Sequence, residues 1–360
     1  MCSSDLRRGA ALPLPHPGAG AAAGAVGGAG EDRRLSRAPS RAGPATTAGR
    51  LLPPDSRERP RASVIVPHLN TPELLVRALQ ALARQRLDHG GFEVIVVDNG
   101  SRLPLDALGR AWPDVRFLRE PRAGPGPARN LGAAHARAPV LAFVDADVEV
   151  LPGWLQAGLD ALAADPGGPI GGDVRIAVAD PRHLCGVEAF ESVFSFRQRD
   201  YIERKHYSVT ANLMMTAEVF ARIGPFGGID RPEDMEFGQR GYRLGMATRY
   251  VPEMRALHPA RRDFSDMQRK WLRLSVQALS AHEEAGRPMW LWDLRALAVM
   301  ASPLVHTPRM LLSRRLSGVA NRMRGVAFLY AIRWARGRDM LRISRARRIG
   351  APVTAAGWNA

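Results

Sequence analysis

The run Val140-Leu141-Ala142-Phe143-Val144-Asp145-Ala146-Asp147-Val148 sets five apolar residues directly before two carboxylates spaced one residue apart. The apolar part reads as a short buried strand. Strand side chains alternate between faces, so Asp145 and Asp147 share a face if the strand continues, and a turn at Ala146 lets them converge on one ion. Hard oxygen ligands suit Mg²⁺ or Mn²⁺, ions held by one or two carboxylates together with substrate phosphates. The same pattern also makes helix caps and solvated turns, so its meaning depends on its surroundings.

Upstream, Ala62 to Val66 is a β-branched run ending at Pro67, and Thr71-Pro72-Glu73 reads as cap, N1 proline and first-turn acid of a helix to about Arg86. Phe92 to Val97 is a second strand ending in the turn cluster Asp98-Asn99-Gly100-Ser101, Val115 to Leu118 a third, and Pro127 to Ala136 a helix. Strands alternating with helices indicate an α/β fold with a mainly parallel sheet, whose ligands gather outside the carboxyl ends of the strands. Asp98 and Asp147 both sit at such ends. A nicotinamide-dinucleotide fingerprint is excluded, because Pro67-His68-Leu69-Asn70 stands where glycines would follow the first strand. The same absence weakens a methyltransferase reading.

Downstream, Pro152 reads as the first residue of a helix, Gly171-Gly172 leads into a strand to about Val178, and His183 to Tyr201 reads as one helix whose Phe190, Phe194 and Phe196 belong to the core. Ser208 to Met215 reads as a strand, Pro232-Glu233-Asp234 opens a helix through Leu244, and Arg249 to Val251 is a short strand before His258. Asp263 to about Ala281 is amphipathic. Phe264, Met267, Trp271, Leu274 and Ala278 form its apolar face, with Arg269, Lys270 and Arg273 on the polar side.

Five motifs in order, Val64-Ile65-Val66-Pro67 to Asn70, Val96 to Ser101, Ala128-Arg129-Asn130-Leu131-Gly132, Asp145-Ala146-Asp147 and Glu233-Asp234, together resemble the family 2 nucleotide-sugar glycosyltransferases. The resemblance runs over Ser63 to Pro259 and implies a GT-A fold, a Rossmann-like mixed and mainly parallel sheet. It also implies that Pro67, Leu69, Asp98, Arg129 and Asp145 bind the donor, that Asp147 holds the metal, and that Asp234, with Glu233 beside it, is the catalytic base. His258 stands where related enzymes often place a histidine near the metal or diphosphate, although a His before a Pro is as often a turn residue. Many relatives carry an aromatic residue at the position of Leu69, so base stacking is lost here while apolar contact remains.

The chain has 360 residues and a net charge of +16, and twelve arginines against one acid, Asp339, between Arg309 and Arg348 supply +11 of it. Val326 to Ile332 is apolar and flanked by arginines, a composition suited to an anionic membrane surface through residues 309–348, the other reading being a solvated helical appendage. No nucleic-acid motif accompanies the charge. Cys2 and Cys185 are too few for a disulfide framework or thiolate zinc site, and point to a reducing cytoplasmic setting at the inner membrane face. The best uncharged apolar stretch, Ala296 to Pro308, has 13 residues, short of the ~20 a span needs. The expected organisation is a disordered segment over 1–60, the transferase domain over 61–262, a helical Arg-rich extension over 263–348 and a disordered tail over 349–360. The leading function is metal-dependent, inverting transfer of a sugar from a nucleotide donor to a hydroxyl of a glycan or lipid-linked acceptor. A nucleotidyltransferase or a non-catalytic membrane adaptor are the alternatives.

Overall fold

A computed structural model describes residues 50–228, 232–261 and 263–350; most of the expected disordered N-terminal segment and the last ten residues lie outside them. The strands are β1 (Ala62–His68), β2 (Phe92–Asp98), β3 (Val115–Arg119), β4 (Val140–Phe143), β5 (Glu149–Val150), β6 (Ile170–Ala177), β7 (Leu213–Thr216) and β8 (Arg249–Pro259). They form one sheet in the order β3-β2-β1-β4-β7-β6-β8-β5. Pairing is parallel through β3-β2-β1-β4 and between β6 and β8, and antiparallel elsewhere. This is the mixed α/β, GT-A type of sheet that the sequence implied.

The helices of the first half are α1 (Pro72–Ala83), α2 (Asp106–Ala111), α3 (Pro125–Ala134) and α4 (Trp154–Ala164). Central strands covered on both faces read as continuous apolar runs, and β2 is buried from Phe92 through Val97. Order begins upstream of Arg61, since Leu51 bridges Phe92 and Leu52 is fully buried. Thr71 does not cap α1 with its side chain; its backbone N–H donates to His68 Nε2 at 3.2 Å. Gly132 lets α3 sit close on the sheet, because a Cβ there would lie 2.4 Å from Ile65 Cγ2.

The second half holds α5 (Gly186–Phe194), α6 (Gln198–Lys205), α7 (Ala217–Ile223) and α8 (Glu233–Arg243). The single helix expected over His183–Tyr201 is two, broken at Phe196, whose φ of +47° no helix accommodates. The expected strand from Ser208 is a 3₁₀ turn over Thr210–Asn212 that only then enters β7. There the fully buried Asn212 donates from Nδ2 to the carbonyls of Asp173 and Met254, and its Oδ1 accepts from Trp154 Nε1 at 2.8 Å. That amide fastens β6, β8 and α4 together beside a bulge at Gly172/Asp173. β8 extends well past Val251, so His258 is a strand residue and not a loop residue.

The C-terminal helices are α9 (Phe264–Glu284), α10 (Met289–Ala301), α11 (Pro303–Leu311) and α12 (Val319–Arg348). Trp292 is buried and donates to the Met340 carbonyl at 3.1 Å, within a small core shared by α9, α10 and α12. The buried residues of α9 are Met267, Ser275, Leu279 and His282, while Trp271 lies under the Arg336 guanidinium at 4.0 Å. In α12, Leu329 and Ile332 face protein, so only part of Val326 to Ile332 is the outward surface the sequence suggested. The apolar residues turned outward there are Val319, Met323, Tyr330 and Trp334.

Candidate active site

The parallel half of the sheet delivers the donor-side residues to its carboxyl edge. β1 pairs with β2 so that His68 stands beside Asp98, with Pro67 and Leu69 half-buried on either side. His68 is buried, and its Nε2 accepts the Thr71 N–H, so the ring proton lies on Nδ1, 3.2 Å from Ser101 Oγ and 3.5 Å from Asp98 Oδ1. Burial pushes the imidazole below its ordinary pKa, and Asp98 opposes that shift. A neutral His68 therefore orients Asp98, a role the sequence reading missed. Asn99 donates from Nδ2 to the carbonyls of Glu120 and Arg122 and accepts the Gly124 N–H at 2.8 Å, fixing the loop that opens α3.

Arg129, on α3, is 3% exposed and lies beneath the cleft, not on its surface. Its Nη2 donates to Asp145 at 2.6 Å and its Nη1 to Glu233 at 3.0 Å. A buried guanidinium bonded to two carboxylates joins α3, the end of β4 and the first turn of α8. The next residue, Asn130, clamps Phe226 through both its N–H and its C=O, and Phe226 packs on Phe237 of α8 with centroids 4.3 Å apart. The Ala128-to-Gly132 motif is thus a bracket that aims α8 at the cleft.

Asp145 to Val148 is a turn closed by the Val148 N–H on the Asp145 carbonyl at 3.0 Å. The two carboxylates do not share one partner. Asp145 is held by Arg129, while Asp147 Oδ2 lies 3.3 Å from His258 Nε2. The register explains the second contact: β5 pairs antiparallel with β8 at Glu149↔Leu257, which brings His258 opposite the acidic turn. His258 Nδ1 lies 2.7 Å from the Pro259 carbonyl and so carries its proton, leaving the Nε2 lone pair facing a carboxylate. A shared proton or a bound cation satisfies two such atoms at that distance. Burial pushes the Asp147 carboxyl above its ordinary range, His258 opposes this, and Asp145 adds to it. The donor set, one carboxylate oxygen and one imidazole nitrogen, fits Mn²⁺ or Mg²⁺ with other positions left for phosphate and water. Among the described residues no cluster of three or more such side chains occurs.

Asp234 follows Glu233 in the first turn of α8. Burial and then the Glu233 charge push its carboxyl up to about 7, against the pull of Arg129. Lys270 of α9 was assigned to a solvent face by its spacing, yet the structure turns it toward this cluster. Burial and the Arg261 charge lower its ammonium to about 8, while Glu191 and Asp234 favour the charged form. Arg261 is fixed by an ion pair to the fully buried Glu191, which also accepts the Arg261 N–H at 2.8 Å. Periodicity could not find Lys270, because it separates apolar from polar faces and a half-buried cation scores as polar.

The mixed sheet thus carries acids at the ends of β2 and β4, with the buried Arg129 bracket between them. Residues 63–223 match the family described as Glycosyl transferase family 2. The chain is 27% identical over 221 residues to Glycosyltransferase AglE of Haloferax volcanii, covering 60% of this chain and 72% of that one. It is 28% identical over 230 residues to a pre-mycofactocin glycosyltransferase of Mycobacterium tuberculosis, covering 61% of this chain and 47% of that one. The mannosyltransferase PcManGT of Pyrobaculum calidifontis, solved with GDP-Man and Mn²⁺, superposes with a TM-score of 0.47 at 19% identity, over 80% of this chain and 89% of that one.

Proposed function

We propose that the protein transfers a sugar from a nucleotide-sugar donor to an acceptor hydroxyl with inversion at the anomeric carbon. The observation carrying this reading is one carboxylate poised near neutrality, Asp234, set apart from the Asp145–Asp147 turn but tied to it through Glu233 and Arg129. In this reading Asp98, oriented by His68, and Asp145, oriented by Arg129, hold the nucleoside, with Pro67 and Leu69 beside the base. Asp147 and His258 hold Mg²⁺ or Mn²⁺. When bound, the ion neutralises the charge that develops on the departing diphosphate. The acceptor oxygen forms its bond to C1 as the C1–O bond to the diphosphate breaks, and its proton passes to Asp234. A single base and a single displacement give inversion. Glu233 keeps Asp234 basic enough for the task and shares Arg129 with the donor side. Thermal-shift titration with a panel of nucleotide sugars, each with Mn²⁺ and with EDTA, tests donor and metal together, and NMR of the product tests its anomeric configuration. Release of pyrophosphate from a nucleoside triphosphate in place of nucleoside diphosphate from a nucleotide sugar refutes it.

Glycan or lipid-linked acceptors at an anionic membrane surface fit the outer face of the helical extension. Trp290, Leu294 and Leu297 recur along α10, and Val319, Met323, Tyr330 and Trp334 along α12, all exposed and interspersed with arginines. No helix among the described residues is long and apolar enough to cross a membrane. Co-sedimentation with phosphatidylglycerol vesicles but not with phosphatidylcholine vesicles is the expected result.

A further inference from the structure

A cavity of about 500 Å³ lies between the β6–β8 pair, the α5–α6 break and the segment that follows α11. Five arginines line it, Arg197, Arg199, Arg309, Arg314 and Arg315, against two acids, Asp173 and Asp200. Both acids already have partners. Asp200 pairs with Arg197, and Asp173 with Arg175 outside the wall at 2.6 Å. Arg199 reaches Glu203 at 3.6 Å and lies over the Tyr250 ring, and Arg315 donates to the Ser192 carbonyl at 3.2 Å. Among the described residues no carboxylate forms an ion pair with Arg309 or Arg314. Partial desolvation and the like charges of Arg197 and Arg315 disfavour the charged form of the Arg309 guanidinium, and Asp200 opposes them. A phosphate group removes that repulsion, and forked guanidinium donors match its oxygens.

The position of the cavity says what such a phosphate does. Phe196 forms part of the wall, and its ring lies 4.7 Å from the His258 ring, on the side of the sheet that carries Asp147. Tyr201, one turn along α6 from Arg197, feels the charges of both Asp200 and Asp234. The arginine wall thus adjoins His258 through Phe196, and neither Asp98 nor Leu69 lines it. Its rim is apolar: Leu312, on the wall, is 81% exposed, and Leu304, Val305 and Leu311 are exposed beside it. We propose that this cavity binds the phosphate group of the acceptor, with an alkyl chain attached to that phosphate running out over the leucine rim. The proposal rests on the transfer reading given above and adds the chemical class of its acceptor.

Calorimetric titration of the full-length protein in EDTA, with decyl phosphate, inorganic phosphate and decanol as probes, tests it. Decyl phosphate binds at least tenfold more tightly than inorganic phosphate if the phosphate is lipid-borne, and equal affinities assign the site to the phosphate of a soluble acceptor. Decanol does not bind the cavity in either case. The Arg309→Gln/Arg314→Gln variant, altered at two exposed side chains, loses at least tenfold in affinity for both phosphates and keeps wild-type affinity for a nucleoside diphosphate with Mn²⁺. Unchanged decyl phosphate affinity in that variant, or displacement of decyl phosphate by the nucleoside diphosphate, overturns the proposal. Failure of wild-type protein to bind any nucleoside diphosphate would instead defeat the transfer reading and leave the phosphate result standing.

Discussion

Asp234 gives the sharpest test, because its carboxyl is pushed up to about 7 by burial and by Glu233. A base with that pKa is ionised to about 10% at pH 6 and about 90% at pH 8, and with the Lys270 ammonium, lowered to about 8, half deprotonated at pH 8, kcat/KM rises about fivefold across that interval. Asp234→Asn removes the base and lowers turnover by roughly 10²–10⁴-fold, with the limb abolished in the residual rate. The neighbours move the midpoint in opposite directions. Arg129 holds the pKa down, so Arg129→Gln shifts the limb to higher pH; Glu233 holds it up, so Glu233→Gln shifts it to lower pH. Stability carries the opposite sign to activity. Between the unfolded carboxyl's pKa near 4 and the folded value, the native state holds a proton the unfolded chain has released, so stability falls as pH rises through that window. Asp234→Asn therefore unfolds at higher urea than wild type at pH 8 and not at pH 4. A flat pH–rate profile from 5.5 to 8.5, or an unchanged limb in Asp234→Asn, refutes the assignment.

Three further outcomes follow from other residues. Asp147→Asn removes one of the two groups proposed to hold the cation, so the thermal shift produced by Mn²⁺ with a nucleoside diphosphate disappears while folding without ligand is retained. Lys270, with its ammonium lowered to about 8, gives the pH–rate profile an alkaline limb; Lys270→Arg moves that limb beyond pH 9, and an unmoved limb assigns it elsewhere. Gly132→Ala forces a Cβ against Ile65 and lowers the urea midpoint by the equivalent of about 1–3 kcal/mol, whereas a neutral effect means that α3 can lift off the sheet without cost.

The central strands, and the placing of carboxylates at their ends, were legible because each rests on local pattern: apolar runs buried on both faces, followed by acids. What escaped the sequence depends on pairings across long stretches of chain. His258 stood in a presumed loop because the strand containing Glu253 and Arg255 lacks an apolar run; its extension depends on the bulge at Gly172/Asp173 and on Asn212. The α5–α6 break was invisible because Phe196 is a poor sequence marker for a positive φ. Arg129 was read as a donor contact, whereas its burial between Asp145 and Glu233 makes it a positioning residue. In α12, the apolar Leu329 and Ile332 turned inward because α5, α9 and α11 cover that stretch, which composition alone could not show.

The two-residue strand β5 has an outsized consequence. Asp147 and His258 are more than one hundred residues apart in the chain, and their meeting depends on the Glu149↔Leu257 and Val150↔Ala256 pairs. Any ion shared by the two side chains is therefore also a clasp on the outer margin of the sheet. Its binding free energy divides between gripping a donor and keeping that margin from fraying, so donor affinity and local order are two readings of one equilibrium. A substitution that loosens β5, far from any substrate atom, would weaken donor binding as a ligand mutation does, while leaving the chemistry of the bound complex untouched.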